Sequence, residues 1–173
     1  GGVHPGKLAS GSCNIPFGGN EVILGAFEVL LTMPPAKPIN PYDRTNWTAS
    51  ASSSTTTYPP KNAFDGDRMT RWGTGQSQVG NEWFRLDLGA PAKLRQITLN
   101  HQYQPWDFPV KYTLELSADD ITYNTVATGM GSAIETRINI APTTARYIRI
   151  RQGGQTPPNT QWWSIGELTV VGE

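Results

Sequence analysis

The chain has 173 residues, with Lys+Arg and Asp+Glu both totalling 14, so it is formally neutral when His is uncharged. Neutrality argues against broad electrostatic capture of nucleic acid or of an anionic membrane, and no apolar run approaches the roughly 20 residues of a membrane-spanning helix. Eighteen Gly, fourteen Pro and many Ser and Thr suit short strands joined by many turns.

The N-terminal residues 1–33 contain a short apolar stretch at 13–17 and a longer one at 22–31. Alternation of Phe27, Val29 and Leu31 suggests a strand. So few strands rarely fold alone, so this piece is either an extension that packs on the main domain or a partial β unit that packs on another chain or on a segment absent here. The lone cysteine, Cys13, cannot form an internal disulfide, so core or metal must hold the fold. With no initiator Met or leader, the chain reads as a processed or excised piece. Residues 34–44 form a linker whose four prolines in PPAKPINP (34–41) make it extended and semi-rigid.

From residue 45 the chain reads as all-β. NAFDGDRMTRW (62–72) packs Asp65, Gly66, Asp67 and Thr70 into a tight turn. Locally this is either a plain turn, Asp-Gly being among the commonest turn dipeptides, or a loop that presents oxygens to a hard cation. It lacks the spacing of an EF-hand. A polar loop follows at 73–81, then a strand at 82–88 with Phe84, Leu86 and Leu88 on one face. Strands are expected at 94–99, 111–117, 124–128, 136–140, 146–151 and 167–171, with a turn at Asp119-Asp120. Regular strands without a convincing amphipathic helix indicate a β-sandwich or jelly roll.

The segments AFDGD (63–67) with Thr70 and Trp72, WFRLDLG (83–89), LSAD (116–119), ARYIRI (145–150) and WSIGEL (163–168) together resemble the factor 5/8 type C (discoidin) domain, particularly family 32 carbohydrate-binding modules. The resemblance implies a jelly-roll sandwich of about eight strands and a secreted, extracellular or periplasmic location. It also implies a structural calcium ion. Carried over by position, its ligands are Asn62, Asp65, Asp67, Thr70, Gly166 and Glu167, which tie an early loop to the last strand. A fainter likeness of residues 5–30 to the end of a DM-nine lectin repeat covers about half a repeat.

By the same resemblance a glycan binds loops at one end of the sandwich, here 73–81, 101–108 and 153–162. Sugar recognition needs an aromatic face for the C–H side of the ring and polar groups for its hydroxyls. Tyr103, Trp106 and Trp162 are the aromatic candidates, and His101, Gln102, Gln104 and Asp107 the polar ones, with Gln78 and Asn159 behind them. Trp72 and Trp163 are assigned to the core. Galactose-binding members often place a histidine after the tryptophan equivalent to Trp72, and an arginine in the loop equivalent to 101–108. This chain has Gly73 and HQYQPWDF there, so the resemblance does not extend to galactose recognition. The leading function is a non-catalytic glycan-binding module. The alternative is a protein- or membrane-binding adhesion domain, against which stands the lack of an evident pair of apolar loop spikes. Two histidines and one cysteine leave little material for catalysis.

Overall fold

A computed structural model describes residues 43–101, 103–157 and 160–172. The expected N-terminal unit with its partner surface and lectin-repeat likeness, nearly all of the linker, Gln102 and Asn159 lie outside these residues. Among the described residues no helix is long and apolar enough to cross a membrane.

The domain is a jelly-roll β-sandwich. Its eight strands are β1 (Thr48–Ala51), β2 (Trp72–Ser77), β3 (Trp83–Asn100), β4 (Lys111–Ser117), β5 (Asn124–Met130), β6 (Glu135–Gln152), β7 (Trp162–Ile165) and β8 (Glu167–Gly172). One sheet runs in the order β1-β3-β6-β4-β5, with β8 also on β3; β2 and β7 form a second, two-stranded sheet. All pairings are antiparallel.

The alternation expected for residues 82–88 holds, with Phe84, Leu86 and Leu88 buried. The expected strands 82–88 and 94–99 are one continuous strand, β3, as are 136–140 and 146–151 in β6. The register between them shifts from Asp87 to Ala92, where Gly89 takes a φ of +77°. Glycine tolerates that conformation without a Cβ penalty, so the strand bends and continues instead of ending.

Residues 73–81 are not a free polar loop: most of them are β2, and Trp72, Gly73 and Thr74 are buried. The tryptophan-led strand near the C-terminus breaks at Gly166 into β7 and β8, which belong to different sheets. The Gly166 amide donates to the Asn100 carbonyl at 2.8 Å, and a Cβ there would lie 3.2 Å from that oxygen. Chain direction therefore changes at a residue where backbone approaches backbone closely.

Trp72, Trp163 and Phe84 form the aromatic centre of the core. Trp72 lies 4.9 Å from each of the other two rings and meets Trp163 edge-on at 84°. Burial of each such side chain contributes about 1.5–3 kcal/mol. The cluster anchors β2 and β7 to β3, which places the ends of all three at one pole of the sandwich.

Candidate functional site

The two motifs almost 100 residues apart do meet. The Gly66 backbone and the negative charge of Asp65 both act on the Glu167 carboxyl. A Cβ on Gly166 would lie 3.8 Å from the Thr70 carbonyl. Within the turn, Asp65 accepts from the Asp67 amide at 2.9 Å and the Thr70 hydroxyl at 2.7 Å. Asp67 accepts from the Met69 amide at 2.8 Å. Asn62 closes the preceding single 3-10 turn, donating its amide to the Pro59 carbonyl at 3.1 Å.

Glu167 is buried, and one of its oxygens, Oε1, pairs with Arg44. The other, Oε2, is buried without a hydrogen-bond partner. Burial pushes its carboxyl above the usual range, against the pull of Arg44. An orphaned carboxylate oxygen facing an acidic turn is the situation a hard cation relieves, and the donor atoms here are all oxygens. Among the described residues no group of three or more His, Cys, Asp or Glu side chains gathers as a metal cluster. A cation here would depend on carbonyls for much of its shell.

Beside this turn lies a pocket of about 170 Å³, lined by Tyr58, Arg68, Met69, Thr70, Arg71, His101, Tyr103, Gln104, Ser164 and Gly166. Pockets for drug-sized ligands run to roughly 300–1,000 Å³, so this one suits a single small ring. Its wall is built from four chain segments that β2 and β7 bring together. Arg71, just before β2, lays its guanidinium over the Tyr58 ring at 4.4 Å. Tyr58 in turn meets Trp162 edge-on at 6.2 Å. Gly73 explains the arrangement: a Cβ there would touch Ser164, Tyr58 and Trp162 at 3.5–3.9 Å. A longer side chain would have to grow between Tyr58 and Trp162.

The sequence-derived candidates occupy different parts of this pole. Tyr103 is half exposed on the pocket rim, and Trp106 is 71% exposed, outside the lining. Asp107 is held by the Ser164 hydroxyl at 3.0 Å and lies 3.8 Å from Arg71. Burial raises its pKa, and those two partners only partly offset this. Trp162 is half-buried behind Tyr58. His101 lines the pocket but is 1% exposed. Its Nδ1 lies 2.8 Å from the Ser164 carbonyl, so it carries the proton and donates, and Nε2 lies 3.4 Å from the Thr136 hydroxyl. Burial lowers the pKa of His101 to about 4, so the ring is neutral near pH 7.

Gln78 is not a ligand side chain. It is fully buried, donating to the carbonyls of Phe108 and Trp162 at 2.8 Å each. Its carbonyl accepts from the Val110 amide at 3.0 Å and from Gln152. It clamps together the segments around the pole. No pair of apolar loop spikes was evident in the sequence, but Met69 is 71% exposed, as is Trp106.

Sequence reasoning missed Tyr58, Arg68 and Arg71. It sought an arginine within 101–108, whereas the structure supplies two from 68–71, on the segment of the acidic turn. RMTR was visible, but nothing local indicates that its cations turn toward the 101–104 segment.

Residues 48–168 match the F5/8 type C domain. Among solved structures, the chain is similar to the family 32 carbohydrate-binding module of C. perfringens NanJ in complex with galactose. That similarity has 23% identity and a TM-score of 0.64, over 75% of this chain and 95% of that one. Chitosan-binding module 1 of a chitosanase/glucanase from Paenibacillus sp. IK-5 is 28% identical with a TM-score of 0.62, over 73% and 96% of the chains. The family 32 module of AlyQ, in complex with 4,5-unsaturated mannuronic acid, is 25% identical with a TM-score of 0.58, over 71% and 92%. No curated protein sequence matches the chain. The matched residues span well over half of the sequence and include both ends of the pocket, and the chain belongs to the F5/8 type C domain family.

Proposed function

We propose that this domain is a non-catalytic glycan-binding module whose ligand occupies the pocket beside the Asp65–Glu167 turn. The observation that carries this reading is the pocket's composition. Tyr58 and Tyr103 offer aromatic surface, while Arg68, Arg71 and Gln104 offer hydrogen-bonding groups in a space of one ring's size. That combination matches a sugar, with its apolar C–H face and polar rim. The structural neighbours that bind galactose, chitosan and an unsaturated uronic acid support it. Tyr103 is assigned to ring stacking, Asp107 to orienting Arg71 and Ser164, and Trp162 to backing Tyr58. Trp106 extends the surface outward, His101 is a neutral wall, and Gln102, outside the described residues, is kept as a candidate from the sequence alone. A secreted, extracellular or periplasmic location and an accessory role beside a glycoside-active enzyme accord with this reading.

A structural calcium ion belongs to the same proposal. Asp65 and Glu167 would supply carboxylates, Asn62, Asp67 and Gly166 carbonyls, and Thr70 its oxygens. The ion would neutralise the two acids and satisfy the orphaned Glu167 Oε2.

Glycan-array screening followed by titration of the hits tests the binding reading. Tyr103→Ala and Trp106→Ala are expected to weaken binding roughly two- to tenfold, the range for one aromatic contact. A folded protein that binds no glycan on a broad array sinks it. The exposed Met69 and Trp106 favour a second reading, docking on a membrane through this same pole. Co-sedimentation with phosphatidylserine vesicles, lost in a Met69→Ser/Trp106→Ser double variant, would establish that instead.

A further inference from the structure

We infer that the pocket takes an acidic sugar, a uronic acid residue, with Arg68 and Arg71 as its carboxylate-binding side chains. This rests on the glycan-binding reading and narrows it from sugars at large to carboxylated ones.

Three observations converge. The first is charge. The pocket is lined by two guanidiniums and by no carboxylate of its own. Asp65 and Asp67 bond amides and a hydroxyl within their turn, and Glu167, outside the lining, pairs through Oε1 with Arg44. Asp107 bonds the Ser164 hydroxyl at 3.0 Å and forms a long ion pair with Arg71, at 3.8 Å, that leaves the guanidinium without a close hydrogen-bonded carboxylate.

The second is unmet hydrogen bonding. The Arg71 Nε–H is buried and has no partner. The guanidinium is held on the Tyr58 face and is among the groups that line the pocket. Arg68 is exposed on the same lining, and no acidic group lies within ion-pair distance of it among the described residues. Planar guanidinium groups match a planar carboxylate through paired N–H bonds, a geometry that a neutral hydroxyl cannot return.

The third is what surrounds those cations. Tyr58 fixes Arg71 from one side, Tyr103 stands half exposed on the rim, and Gln104 flanks them. A free inorganic anion needs no aromatic wall. A sugar ring that carries a carboxylate uses the cations, the polar groups and the aromatic surface together.

Isothermal titration of the whole chain with oligomers of mannuronate, guluronate, galacturonate and glucuronate tests this. Each is run beside its methyl ester, which keeps the ring and removes the charge, and beside a sulfated glycan. At least one uronate is expected to bind, with its ester roughly ten- to hundredfold weaker, the range for losing a charged hydrogen bond. Arg71→Gln and Arg68→Gln should each shrink the acid-over-ester ratio, and Arg71→Lys should retain part of it. Arg68 is exposed, so its variant keeps the test valid if Arg71→Gln fails to fold. Esters binding as tightly as acids, or neutral glycans binding while both Arg→Gln variants change nothing, overturn the acidic-sugar inference and leave the glycan reading standing. A sulfated glycan preferred over every uronate overturns the carboxylate assignment. No binding to any glycan by the folded chain overturns both.

Discussion

At the scale of single residues, the most instructive side chains are polar ones in the interior. Gln78 satisfies both ends of its amide against Phe108, Trp162, Val110 and Gln152. In the sequence it is one more polar residue in GTGQSQVGN, and composition suggested a loop. Gln78→Leu strands several buried partners, each at about 1–3 kcal/mol, so a loss of roughly 2–4 kcal/mol is expected in urea denaturation, with the pole loosened. His101 has a pH signature. Its folded pKa is about 4 against an ordinary 6.5, so the unfolded chain binds its proton first as pH falls. Its contribution is therefore complete above about pH 6.5 and lost progressively down to about pH 4, up to roughly 3 kcal/mol in all. Asp107 and Glu167 have raised folded pKa values and act with the opposite sign. The diagnostic is thus the difference between wild type and His101→Gln. The variant's stability should fall less steeply between pH 6.5 and 4; identical slopes would refute the assignment.

At the scale of elements, the sequence was strongest where alternation is strict and weakest where strands bend or break. KYTLELS coincides with β4 because three apolar residues alternate within seven positions. The β3 and β6 strands were each read as two, since Gly89 and the 141–145 stretch look like turns. In the sandwich they are corners that a long strand passes through, with cross-strand pairing resumed at Ala92↔Ala145. Gly89 makes one corner possible. A Cβ there would lie 2.7 Å from the Asn46 Cβ and 2.9 Å from its carbonyl oxygen, at a positive φ. Gly89→Ala is expected to cost about 2 kcal/mol or more, combining left-handed strain with that clash. Calorimetry should show a melting temperature lower by several degrees, and an unchanged one would mean the corner relaxes freely. The short strands β1 and β2 were not separated from their surroundings, because four to six residues rich in Ser, Thr and Gly carry no period of their own, and the four residues of β7 were read as one strand with β8.

At the scale of the whole molecule, one pole concentrates the acidic turn, the Glu167 carboxylate and the arginine-lined pocket. If calcium holds the turn to β8, then EDTA should lower the melting temperature of the chain, and added calcium should restore it. Glu167→Gln should abolish that response, since it removes the negative charge the orphaned oxygen carries. A melt insensitive to chelator, with no metal by elemental analysis, would remove the ion from the account. Loss of calcium is also expected to weaken glycan binding, because Thr70 belongs to both the turn and the pocket wall. The sequence by itself determined the all-β class, the core tryptophans and the pairing of NAFDGD with WWSIGE. These depend on alternation and on a set of ordered motifs, and both are written along the chain. Only the tertiary structure decided that Gln78 is a clamp, that His101 is an internal neutral wall and that the arginines come from 68–71. Those outcomes depend on which side chains four separated segments turn toward one another when β2 and β7 close over β3, a direction that no local pattern encodes.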